Sequence, residues 1–138
     1  MQTTNIWAVI VAAVVAFVIS AIWYSPFLFG KEWMNLTKKT QKDVDAVKAK
    51  GGVWKLYLGQ LIATLITFCV LGFIISVSGS ITAADGAFMG LLVWLGFSAT
   101  SAASDMLWGD TPFKLVLIQT ICMLLNLVIG GAIMGGWR

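Results

Sequence analysis

The sequence predicts an all-α integral membrane bundle of four transmembrane helices, with a short cytoplasmic interfacial helix between the first and the second. Two observations carry that expectation. Of 138 residues, 59% are hydrophobic and only 11% charged, with a mean hydropathy of +0.92, whereas a soluble domain carries about a quarter charged residues. The charges also cluster. They leave four apolar stretches, at 6–29, 54–78, 84–103 and 113–137, whose only charged residues are Lys55, Asp85 and Lys114 at their starts, each at or above the roughly 20 apolar residues that cross a bilayer. Together these form one membrane domain over residues 1–138.

The first stretch does not read as a cleavable signal, because MQTTN carries no basic side chain and the apolar run is too long. Ala8, Ala12, Ala16 and Ser20 recur every fourth residue along it, a small-residue stripe of the kind that lets helices in lipid approach closely. The stretch closes on WYSP at 23–26, which holds one of only two prolines. A proline in a helix removes one backbone donor and obstructs the carbonyl four residues back, here Ile22. In a bilayer that carbonyl needs another partner, for which Ser25, Gln60 or a water is expected. The motif therefore predicts a kinked helix end packed on a polar pocket.

Between Lys31 and Lys55 stand seven lysines against three acidic residues. This excess puts the loop 31–53 in the cytoplasm and both termini outside. Such a loop suits anionic lipid headgroups; it offers too few phosphate contacts to make the chain a nucleic-acid binder. Within it, TQKDVDAVKAKGG (40–52) places Thr40 three residues before Asp43, as in a capping box. Asp43 and Asp45 lie in the first turn and Lys48 and Lys50 in the last, complementing the helix dipole. Val44 and Val47 share a face, and the segment reads as a helix lying at the interface.

The remaining spans repeat the small-residue theme. Gly86 and Gly90 open the third, and Gly131 and Gly135 lie near the end of the fourth. These stripes predict tight packing within one chain or between copies, and with it a homo-oligomer. In SDMLWGDTPF (104–113), Thr111 is the expected N-cap of the fourth helix and Pro112 its first residue. Trp7, Trp33, Trp54, Trp108 and Trp137 fall near span ends, as an interfacial belt requires. Trp23 and Trp94 do not. Gln60 with Gly72 and Gln119 with Gly131 share one spacing, a faint sign of an internal repeat.

Ordering the polar residues by depth gathers a candidate pocket in the cytoplasmic half: Trp23, Tyr24, Ser25, Pro26, Gln60, Ser98, Thr100, Ser101, Asp105 and Gln119, with Asn126 and Thr67 near the midplane. Two readings stand side by side. Hydroxyls and amides can simply hold helices together, or they can line a site for a small-molecule ligand of unknown identity. No ionisable group lies deep; Asp105 at the edge is the closest. The chain has no histidine, and Cys69 and Cys122 stand alone. No catalytic acid–base or nucleophile arrangement, metal set or cofactor is therefore expected.

The segments WYSPFLFGKEWM (23–34), GLLVWLGFSATSAASDMLWGDTPFKLVLIQ (90–119) and GAIMGGW (131–137) resemble the bacterial four-helix membrane family catalogued as domain of unknown function 1761. The resemblance covers nearly the whole chain and implies a small multi-pass protein of the bacterial inner (plasma) membrane. It brings no activity with it. Residues and resemblance together lead to two functional expectations. One is a structural, interaction or lipid-binding protein with a polar pocket; the other is a small oligomeric channel or carrier for a solute or ion.

Overall fold

A computed structural model describes residues 5–25, 27–38, 41–79, 82–109 and 111–137, apart from the side chains of Gln41, Val44 and Val47. The described residues form helices and turns only: α1 (Ile6–Trp23), α2 (Gly30–Thr37), α3 (Gln41–Ala49), α4 (Val53–Ser78), α5 (Ala83–Val93), a π-helical turn (Trp94–Ala99), α6 (Thr100–Trp108) and α7 (Phe113–Gly136). Four stretches are long and apolar enough to cross a membrane: Ile6–Trp23, Val53–Ser78, Ala83–Trp108 and Phe113–Gly136. The expected four-span bundle is therefore present.

Its details depart from the sequence reading in three places. The basic loop carries two short helices, not one. The first span stops at Trp23, six residues early, because the chain turns back on itself there. The amides of Tyr24 and Ser25 donate to the Ser20 and Ile22 carbonyls, at 3.0 and 3.1 Å, and those of Leu28 and Gly30 both donate to the Ser25 carbonyl. A Cβ on Gly30 would collide with the Tyr24 and Ser25 carbonyls, so only glycine fits where α2 begins. The Ile22 carbonyl thus bonds to the neighbouring Ser25 backbone, with no need of Gln60 or a water. Pro26 itself, like Thr40 of the expected capping box, lies outside the described residues, as do the side chains of Val44 and Val47. At the other loop, Pro112 caps α7 and Phe113 starts it; Thr111 instead donates its hydroxyl back to the Asp105 carbonyl at 3.5 Å.

Two caps do follow local chemistry. The Asn5 side chain accepts from the Trp7 amide at 2.9 Å, and Thr82 accepts from the Asp85 amide at 3.1 Å, each relieving one unsatisfied donor of a helix start. α4 ends on Gly79 in the left-handed region, φ 75°, a conformation that glycine adopts without strain.

α7 is the centre of the bundle, touching α1, α4, α5 and α6 as well as α2. Its closest neighbour is α5. There the glycine stripes meet face to face: a Cβ on Gly86 would strike the Gly131 carbonyl, and one on Gly90 the Leu127 carbonyl. Ala8, Ala12 and Ala16 of α1 are equally buried, at 0–3% exposure. The faces of Gly86 and Gly90, Gly131 and Gly135, and Ala8, Ala12 and Ala16 are thus filled within the chain. Glu32 of α2 and Lys114 of α7 pair at 3.2 Å and tie the loop to the bundle.

The main core cluster lies towards the chain termini. It is built from Ala8 to Ala16, Phe68 to Ile75, and Leu127 with Met134. Gly86→Ala is expected to destabilise the bundle by about 1–3 kcal/mol, the usual range for overpacking, because the wall opposite is rigid backbone. Gly59→Ala, which meets nothing within 4 Å, gains up to about 1 kcal/mol of helix propensity. Thermal unfolding of both variants in one detergent checks this opposition of sign.

Candidate functional site

The half of the bundle towards the basic loop is open. There α1, α4 and α7 separate around a cleft of about 710 Å³. α1 and its C-cap contribute Ala16, Phe17, Ser20, Ala21 and Tyr24, α4 contributes Tyr57, Gln60, Ala63, Thr64, Thr67 and Phe68, and α7 contributes Gln119, Cys122, Met123, Asn126 and Leu127. On each helix the polar lining residues recur one turn apart: Ser20 and Tyr24; Gln60, Thr64 and Thr67; Gln119, Cys122 and Asn126. That spacing keeps them on one face of an α-helix. Gln60 and Ala63 on one wall and Gln119 and Met123 on the other are exposed, so the cleft opens to its surroundings between α4 and α7.

The deep end lies near the midpoints of α4 and α7. Asn126 donates from Nδ2 to the Ser20 hydroxyl at 3.1 Å, with Cys122 Sγ at 3.9 Å; Ser20 Oγ and Cys122 Sγ are 3.7 Å apart. Below, the cleft is closed by Phe68, 1% exposed, whose ring fills the space a Cβ on Gly130 would need. Leu71, Ile75 and Met134 continue the seal towards the termini, each 0–1% exposed.

Of the twelve residues named from sequence, the cleft gathers five: Tyr24, Gln60, Thr67, Gln119 and Asn126. Trp23 does other work. Its indole N–H donates to the Ile118 carbonyl of α7 at 2.9 Å, and its ring lies 4.6 Å from that of Phe29. Trp94 mirrors it from the opposite flank, donating to the Thr120 carbonyl at 2.8 Å. The two tryptophans without an interfacial place in the sequence thus grip α7 from both sides. Ser25 belongs to the turn after α1, and Pro26 is outside the described residues.

Ser98, Thr100, Ser101 and Asp105 do not line the cleft. They occupy the π-helical turn and α6, on a stretch where Thr100, Ser101 and Asp105 are exposed. The Thr100 hydroxyl donates to the Gly96 carbonyl at 2.7 Å, and the Ser101 hydroxyl donates to the Phe97 carbonyl. Both are hydroxyl-to-carbonyl bonds four residues back, as Thr64 and Thr67 make on α4, and the Phe97 carbonyl also accepts the Thr100 backbone N–H. Ser20, Tyr57, Thr64 and Cys122 line the cleft and are absent from the candidate set; the one-turn spacing of Ser20 from Tyr24, and of Cys122 from Gln119 and Asn126, is the signal that points to them.

The chain matches the family described as protein of unknown function (DUF1761) over residues 7–135, and it belongs to that family. No curated protein and no solved structure matches it.

Trp23→Phe keeps the ring and removes the N–H donated to Ile118; it is expected to cost about 0.6–1.7 kcal/mol, the range for hydrogen bonds between membrane helices. Trp94→Phe is expected to behave alike. Steric-trap or denaturant unfolding of each variant in bicelles measures the loss.

Proposed function

We propose that this protein is a lipid-binding protein of the bacterial inner membrane, holding a membrane amphiphile in the cleft between α1, α4 and α7. The observation that carries the reading is the shape of that cleft: mostly apolar walls carrying a few uncharged polar groups, open sideways between α4 and α7, and blind at Phe68. Its volume of about 710 Å³ falls within the roughly 300–1,000 Å³ of small-molecule sites. Its lining is uncharged, which suits binding better than acid–base catalysis. The seven lysines between residues 31 and 55 support a cytoplasmic position for the basic loop, and so for the open half of the bundle.

A channel or carrier would need the polar route to continue past Phe68, where Leu71, Ile75 and Met134 are packed without space. Lateral access to a blind cleft is what an acyl-chain molecule diffusing in the bilayer requires.

Native mass spectrometry of the protein released from lipid nanodiscs tests the reading, with a solute-flux assay in proteoliposomes beside it. One amphiphile retained per chain and no flux is the expected result. Ala63→Trp fills the exposed cleft wall and is expected to abolish retention at unchanged thermal stability. Flux that disappears in Thr67→Val would instead establish the transport reading.

A further inference from the structure

Resting on the lipid-binding reading, we infer that the cleft selects an uncharged amphiphile that brings a hydrogen-bond donor, a hydroxyl or an amide N–H, to the carboxamide oxygen of Asn126. Asn126 Oδ1 is buried and has no hydrogen-bond partner among the described residues, and its residue lines the deep end of the cleft. Such an orphan acceptor is costly in an apolar surrounding, and a native structure normally gives it a partner.

Reversing the carboxamide does not cure the deficit. Oδ1 would then accept from the Ser20 hydroxyl, but the NH₂ group, with two hydrogens to place, would replace the single orphaned oxygen. The orientation with Nδ2 on Ser20 Oγ leaves less unsatisfied.

The neighbouring hydroxyls do not supply the missing donor either. Thr64 donates to the Gln60 carbonyl at 2.7 Å, and Thr67 donates to the Ala63 carbonyl at 2.9 Å. Both therefore turn only lone pairs towards the cleft. Beside the Ser20 hydroxyl and the Cys122 thiol, which can donate to one another, the acceptor there that awaits a donor is Asn126 Oδ1. A cation would also satisfy acceptors, but no carboxylate lines the cleft, and a buried charge without a counter-charge is strongly disfavoured. A neutral donor is the species that fits. Gln119, seven residues from Asn126, stands about 10 Å nearer the mouth along α7, so the polar steps on the three helices give a descending head group hydrogen-bonding partners at each turn. Its chain leaves through the gap between α4 and α7.

Four probes with one oleyl chain and different ends test this: oleyl alcohol, methyl oleate, oleylamine and oleate, each radiolabelled and bound at equilibrium to the protein in nanodiscs. Oleyl alcohol is expected to bind best, and Asn126→Leu to weaken it roughly tenfold while leaving methyl oleate unchanged, which also shows that the variant is folded. Equal binding of alcohol and ester in the native protein would overturn the inference and leave the lipid-binding reading standing. Tightest binding of oleylamine would overturn it in favour of a cation site. Binding of none of the four would remove both.

Discussion

Everything in this bundle depends on how closely α5 and α7 approach. In lipid there is no hydrophobic drive to press apolar helices together, because the solvent is as apolar as the side chains. What remains is contact area and the occasional hydrogen bond. Gly86 and Gly90 against Gly131 and Leu127 bring backbone onto backbone, the largest contact such helices can make. With α7 fixed there, its other face receives α1 through the alanine stripe and α4 through Phe68 on Gly130. The tryptophan hydrogen bonds to Ile118 and Thr120 hold α7 at the level where glycine contact has ended.

The cleft is the counterpart of that packing. Where small residues give way to tyrosines, glutamines and a methionine, helices cannot close to the same distance, and space is left between them. The edge-on contact of Phe17 with Tyr57, at 6.4 Å between ring centres, spans α1 and α4 where no alanine does. One bundle thus contains a tight half and a loose half, set by side-chain volume alone.

This division explains what could be read in advance. Depth is legible in a membrane sequence because it follows from position along an uncharged run, so the four spans and the order of polar groups came directly from the residues. Azimuth is not. A helix whose inner and outer faces are both apolar has almost no polarity difference to betray which side faces its neighbours, and Ser101 looked as able to face a pocket as Gln119. The same limit hid the π-helical turn, since nothing in WLGFSA marks an altered hydrogen-bond ladder. WYSP misled for a different reason: proline permits both a kink and a stop, and what decides for a stop is Gly30, seven residues beyond Trp23, where the chain folds back against its own carbonyls. The small-residue stripes were visible, but whether they meet each other or another copy is a question of partner that spacing alone leaves open.

The π-helical turn between α5 and α6 turns chain length into angle. Each residue of an α-helix rotates the chain by about 100°, so a turn holding one residue more than its α-helical counterpart offsets α6 from α5 by about that much. Losing any one residue from 94–99 would rewind the segment and swing Thr100 and Ser101 to another side of the bundle. An exposed loop absorbs such a deletion at little cost. Here it would act as a rotation, and the third span is therefore a ruler as well as a wall.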